Sequence, residues 1–395
     1  MTIAKDARRF YLPSRGVATT LSLFFALIYS NDLGVLNRSF VAVVMTLSVM
    51  TIIFVTSGTT LTLRNIHPKE NIEKNLSSFL SLIFIEVLLG LLLFYLALLI
   101  FSTFKLPLHK TIIFVALIYF LLSAVHLIFM EILIAFQHFK IVGLFEILTI
   151  LLQFSFYYIT KAVTDYSIAG RLFLAFSTSY LIVAICCYLT IRPKFIQLNS
   201  LGDPRIFFEQ SKGNHSIGTV LGMVDRLDRL VIAWFLPFVL VGKFAVMSSF
   251  ISFFRFMPDA LSKILISTKS DAWRKYLKSP IPILMGLAGF VGGAVFISQF
   301  LISQMLGPEW LLPWGVSFIF ALQELARGTF QLNGNYKVSI GISQQTHKAA
   351  LLLLICAIPT SIIFARWFGL IGVPLGFLMS YVGVLIYMNK RTNVD

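Results

Sequence analysis

The chain has 395 residues, 58% of them hydrophobic and only 12% charged, with a formal net charge of +15. Its mean hydropathy is +0.88. A soluble domain has no interior large enough to hide that much apolar surface, so these values exclude a soluble enzyme and define an all-α polytopic membrane protein. The positive charge does not imply a nucleic-acid partner, because Lys and Arg are scattered through short loops between apolar runs.

Twelve apolar segments are each near the ~20 residues that cross a bilayer. They fall at 10–30, 39–62, 77–101, 112–135, 142–160, 168–190, 215–236, 239–262, 281–303, 311–332, 348–366 and 369–388. All are expected to be helical, since lipid offers no partner to open backbone groups. The first carries Pro13 and Arg15 and leads into the turn DLGVLNRSFVAV. The third to fifth hold the isolated acids Glu86, Glu131 and Glu146, and the fourth also holds His126. Arg171 lies near the outer end of the sixth. The seventh, SIGTVLGMVDRLDRLVIAWFLP, contains Asp225, Arg226, Asp228 and Arg229 at its centre. The eighth carries Arg255 and Asp259 beside Pro258, and the tenth carries Glu324 and Arg327. Gly286, Gly289, Gly292 and Gly293 in the ninth, and Gly369 and Gly372 near the end, read as small residues that let helices approach. Cys186, Cys187 and Cys356 sit inside apolar runs with no CxxC or His/Cys cluster, so packing is expected, with no metal and no cofactor. No cleavable signal peptide is evident at the N-terminus.

The loop charges set an orientation. One alternating set of loops and span ends carries twenty-one Lys and Arg; the other carries six, namely Arg38, Lys105, Lys110, Lys161, Lys243 and Arg366. The richer set is expected to be cytoplasmic, with both termini inside. The longest loop, 191–214, contains Gly202, Pro204 and Gly213 and follows the sixth span. It divides the chain into an N-terminal six-helix half (1–195), a cytoplasmic linker (196–214) and a C-terminal six-helix half (215–395). A faint repeat agrees: DLGVLNRSFVAV opens the first half and LPFVLVGKFAV the second, each running from a turn through a basic residue to Phe. Repeated halves around a central cavity are the usual plan of transporters.

The charged seventh span is the strongest functional signal. At 100° per residue, Asp225, Asp228 and Arg229 fall within an arc of ~100°, and Arg226 extends it to ~160°. Each central charge costs roughly 2.5–3.5 kcal/mol on insertion scales. The face must therefore be sheltered by other helices, by water or by pairing, and Asp225 and Arg229 have the i,i+4 spacing of a pair. Arg226, Arg229, Arg255, Arg327 and Arg15 are candidate ligands of a cationic cavity. Asp225, Asp228, Asp259 and Glu324 are candidates for positioning those arginines or for coupling to an ion. Arg stays charged when buried and forks onto phosphate oxygens, so the cavity suits an anionic amphipathic cargo such as a lipid pyrophosphate. No Walker motif, dinucleotide fingerprint, HExxH or nucleophile elbow appears, and the loops leave no room for a catalytic domain.

Three stretches carry a family resemblance. LDRLVIAWFLPFVLVGKFAVMSSF has Asp228-Arg229 in an apolar helix, a turn, then Val241-Gly242 and Phe244-Ala245. LGPEWLLPWGVSFIFALQELARGTFQLNGN has the turn Leu306-Gly307-Pro308-Glu309 before an apolar helix, and NDLGVLNRSFVAVVMTL spans the first turn. In order and spacing they resemble polysaccharide flippases of the multidrug/oligosaccharidyl-lipid/polysaccharide exporter superfamily, over nearly the whole chain. That resemblance implies alternating access between the halves and an undecaprenyl-pyrophosphate-linked oligosaccharide as cargo. It implies the bacterial cytoplasmic (inner) membrane, membrane lipids as surroundings, and polysaccharide polymerase and glycosyltransferases as partners in surface polysaccharide biosynthesis. Two alternatives stand beside it. A drug or cation antiporter of the same fold calls for an acid in the first span, where this chain has Arg15. A membrane-embedded polysaccharide polymerase calls for a large outer loop, which the sequence lacks.

Overall fold

The computed structural model describes residues 10–65, 72–104, 110–164, 166–196, 203–251, 281–339 and 343–390. Every regular element among them is helical. In chain order they are α1 Leu12–Asn65, α2 Ile72–Phe104, α3 Lys110–Ala135, α4 Phe139–Val163, α5 Ile168–Ile196, α6 Pro204–Phe235, α7 Val239–Ile251, α8 Ile281–Leu306, α9 Trp314–Ser339, α10 Ser343–Phe368 and α11 Gly372–Lys390. Short 3-10 turns at Pro308–Trp310 and Gly369–Ile371 precede α9 and α11.

Ser and Thr are frequent in these helices, and most return their hydroxyl to the carbonyl four residues back. Ser30 bonds to Ala26, Thr56 to Ile52, Ser177 to Phe173 and Ser179 to Ala175. The bond hides a polar group where water is absent and keeps the helix intact.

The 54 residues of α1 would extend about 80 Å if straight, far beyond a hydrocarbon core of ~30 Å. The helix is broken at one residue, Gly34, with φ 68° and ψ 166°, values that a side chain strongly disfavours. The loop expected at 31–38 is thus a single-residue kink, and Asp32 to Arg38 are otherwise helical. Among the described residues, six stretches are long and apolar enough to cross a membrane, and two of them, Leu12–Arg64 and Gln344–Met388, have 53 and 45 residues, about twice the length one crossing needs. α6 and α9 fall outside this set, because charged and polar residues interrupt them.

The chain divides into two compact units, one formed by residues 1–21 and 44–222, the other by 22–43 and 223–395. In the first, α5 packs along both α3 and α4. Its core is aromatic: Phe94 stacks on Phe120 at 4.9 Å, Tyr119 meets Phe173 at 5.2 Å and His126 stacks on Tyr180 at 4.9 Å. The first part of α6 joins this unit through Phe207 against Phe79 at 5.5 Å and Asn214 Nδ2 bonded to Thr62 Oγ1 at 2.9 Å. One face of α2, including Phe84, Ile85, Leu88 and Leu92, is exposed and apolar, as a lipid-facing surface requires.

In the second unit α10 and α11 form a tight hairpin, and α11 also packs on α9, where Phe330 meets Tyr381. Gly376 on α11 lies so close to Ser361 on α10 that a Cβ would sit 2.6 Å from its Cα. Gly369, at φ +61° with open space where a Cβ would stand, builds the turn, whereas Gly372 at the start of α11 lets that helix approach α10, since a Cβ there would meet Phe364 O at 1.9 Å. Gly292 and Gly293 have no atom within 4 Å of where a Cβ would stand, so they bring no helix close. Gln299 on α8 closes its own turn, donating to Leu312 O at 2.7 Å and Ser317 Oγ at 2.8 Å.

Candidate functional site

The charged run of the seventh expected span lies near the end of α6, in the second unit. Asp228 is only 3% exposed and accepts the backbone N–H of Arg229 at 2.7 Å. The Arg229 side chain turns to the next helix, where Nη2 donates to Ser248 Oγ at 2.7 Å. Ser248 in turn donates to Ala245 O at 2.9 Å, so the hydroxyl is oriented as an acceptor for the arginine. Arg226 is part-buried on the same helix. The side chain of Asp225, the i,i+4 partner expected for Arg229, lies outside the described residues, as do Arg255 and Asp259 entirely.

α9 supplies the second element. Arg327 and Glu324 are each 4% exposed, and Arg327 Nη1 donates to Glu324 Oε1 at 2.5 Å. Both lie within electrostatic reach of Asp228 and Arg229. The structure therefore gathers Asp228, Arg229, Glu324 and Arg327 from two helices into one polar cluster, Arg229 half-buried and the other three buried.

A third guanidinium, not among the candidates read from sequence, joins them. Arg38, counted above among the loop charges, is only 4% exposed and lies within electrostatic reach of Arg229. Its guanidinium carbon stands 4.8 Å from the centre of the Tyr29 ring. Nine residues separate the two, which in a straight helix would put them about 13 Å apart on opposite faces. They meet because α1 breaks between them at Gly34. The neighbouring Ser39 is clasped by α7: its Oγ accepts the N–H of Gly242 at 2.8 Å and lies 3.4 Å from Val239 O. No local sequence pattern marks Arg38, since its contacts depend on a kink and on a helix some 200 positions away.

Arg15 is placed elsewhere. It belongs to the first unit, where its Nη1 bonds Glu146 Oε1 at 2.6 Å and ties α1 to α4. In the same unit Arg64 is paired with Glu131, joining α1 to α3. Glu131 and Glu146, isolated in sequence, are thus partners of arginines. Glu86 differs: its Oε1 accepts the Thr59 hydroxyl at 2.5 Å, while Oε2 is buried with no hydrogen-bond partner among the described residues. Among the described residues no group of three or more His, Cys, Asp or Glu is placed to hold a metal ion.

No family model and no curated protein matches this chain. Solved structures do. A mutant of the Vibrio cholerae MATE transporter VcmN superposes with a TM-score of 0.72 at 14% identity, covering 100% of this chain and 98% of its own. A eukaryotic MATE transporter gives 0.73 at 13% identity, covering 99% and 96%. The lipid II flippase MurJ in its inward closed conformation gives 0.67 at 16% identity, covering 97% and 87%. Over essentially its whole length, the chain has the fold shared by MATE transporters and the lipid II flippase.

Proposed function

We propose that this protein is a multi-pass membrane transporter that flips a polyprenyl-pyrophosphate-linked oligosaccharide from the cytoplasmic to the outer leaflet by alternating access. On this reading it serves surface polysaccharide biosynthesis in the bacterial inner membrane, beside a polymerase and glycosyltransferases, with both termini cytoplasmic. The carrying observation is the buried cluster of Arg229, Arg327, Asp228 and Glu324 in a fold that MATE transporters and a lipid flippase share. Arginine holds its charge in a dry site and presents paired N–H donors that match phosphate oxygens. Asp228 and Glu324 hold the arginines in place and reduce the penalty of burying them. Arg226 and Arg255 complete the proposed ligand set, with Asp225 and Asp259 as their supports. Arg15 contributes only if its pair with Glu146 opens. An inside-negative potential favours outward movement of an anionic head group.

The test is surface polysaccharide export in cells that depend on this protein. Arg229→Ala should abolish export while the protein stays at normal levels in the membrane. Normal export by Arg229→Ala, Arg226→Ala and Arg255→Ala alike would overturn the reading.

A second reading, a cation antiporter, draws on one observation. Among the described residues Glu86 has no cationic partner and is held by Thr59 alone in the first unit. Uptake of a lipophilic cation such as ethidium into everted vesicles, lost in Glu86→Gln and retained in Arg229→Ala, would favour this reading over the flippase.

A further inference from the structure

Three guanidinium groups and two carboxylates make up the buried cluster among the described residues of the second unit. Glu324 is engaged by Arg327, and Asp228 accepts the backbone of Arg229. Arg38 has neither. Among the described residues its guanidinium makes no ion pair and no hydrogen bond; it has only the face of Tyr29, and its Nε is shut off from solvent with no partner. Arg229 has the Asp228 carboxylate as its electrostatic partner, but its hydrogen bonds are incomplete: one hydroxyl, Ser248, meets its Nη2, and its Nε is shut off from solvent with no partner among the described residues. The two arginines, each with an unpartnered Nε, lie within electrostatic reach of each other.

Such an arrangement is unfavourable as it stands. A buried guanidinium brings five N–H donors, and an aromatic ring satisfies none of them as an acceptor does. Like charges in a medium of low dielectric repel strongly. An anion between them would remove both penalties together, and it must offer several oxygens and more than one negative charge to serve two forks. We propose that Arg38 and Arg229 form a seat for a phosphate or pyrophosphate group, with Tyr29 holding Arg38 in place. Arg38 is thereby a ligand that the charge pattern of the seventh span does not reveal. Its place beside the first turn, opposite in loop order to the cytoplasmic loops, makes the seat a station at the outer end of the transport path. That last step, and the identity of the anion as a lipid head group, rest on the flippase reading.

The experiment uses the full-length protein in nanodiscs and two probes, inorganic pyrophosphate and farnesyl pyrophosphate, with binding followed by calorimetry and by the rise in melting temperature. Wild type should bind at least one probe. Arg38→Gln should weaken that binding tenfold or more, and Arg38→Lys should fall between, because an ammonium cannot fork. Without probe, Arg38→Gln should melt at or above the wild-type temperature, since it removes an uncompensated charge; a structural arginine would give the opposite shift. Tighter binding of farnesyl pyrophosphate assigns the seat to a lipid head group, and equal binding assigns it to a free anion. No binding of either probe, or wild-type affinity in Arg38→Gln, overturns the proposal. The two readings fail separately. Export lost in Arg229→Ala with pyrophosphate binding intact in Arg38→Gln removes the seat and keeps the flippase. Binding that depends on Arg38 with export indifferent to Arg229 keeps the seat and removes the flippase.

Discussion

Glu324 and Arg327 stand one turn apart on α9, joined by a 2.5 Å hydrogen bond, and each is almost fully buried. Removing one member leaves the other charge without compensation, which costs about 3–5 kcal/mol. Glu324→Gln should therefore lower the melting temperature of the detergent-solubilised protein by several degrees. Replacing both residues with Met should recover most of that loss, because apolar packing substitutes well for a buried pair. Export should not recover, since the guanidinium is absent. Recovery of both properties would mean that the pair serves only to hold α9 in place.

Arg15 and Glu146 make the complementary case in the first unit. Their 2.6 Å pair connects α1 to α4 across 131 positions, and Gly143 lies close by, where a Cβ would stand 2.7 Å from that of Ser14. Both Arg15→Gln and Glu146→Gln should destabilise the protein, by roughly 1–3 kcal/mol given the partial exposure of Arg15. The exchange of both residues, Arg15→Glu with Glu146→Arg, should restore much of the melting temperature. If instead the exchange is stable but export is lost, Arg15 acts on the cargo as well.

What the sequence discloses and what it hides follow from the solvent. Lipid forces each apolar run into a helix, so α3 at Lys110–Ala135 and α4 at Phe139–Val163 lie close to the segments 112–135 and 142–160 read from composition alone. Asp228, Arg229, Glu324 and Arg327 stand out because charge inside an apolar run is conspicuous. Arg38 does not, because an arginine between two spans looks like an ordinary loop charge until the kink at Gly34 folds it against Tyr29. The partners Arg15–Glu146 and Arg64–Glu131 join different helices, and no periodicity links them. Glycines mislead for a similar reason: Gly242 and Gly292 look alike in sequence, yet only Gly242 has a neighbour where a Cβ would stand.

That neighbour makes Gly242 a sharp test of the contact between α7 and the start of the second span. An added Cβ would lie 2.4 Å from Val35 O and 2.7 Å from Ser39 Oγ, too close for either to accommodate without movement. Gly242→Ala should cost about 1–3 kcal/mol, as overpacking does. Ser39→Ala, which removes the acceptor of the Gly242 N–H, should cost nearer 1 kcal/mol. Thermal melting of the two variants beside wild type checks the order; equal, unchanged melting would show that this contact is loose.

Lys337 gives a pH dependence. It lies beyond the apolar part of α9 and is only 3% exposed, with Nζ donating to Gln345 Oε1 and to Met388 O at 3.2 Å each. Burial pushes its pKa below the ordinary lysine value. In the unfolded chain the amine keeps its proton up to about pH 10.4. Between the two values the unfolded state binds more protons than the folded state, so stability rises with pH across that window. Below the folded value both states are protonated and the penalty is constant. The melting temperature of wild type minus that of Lys337→Met should therefore grow as pH is raised from 7 toward about 10, other titrating groups cancelling in the difference. A difference that stays level across this range would mean that the ammonium is as well solvated in the folded protein as in water.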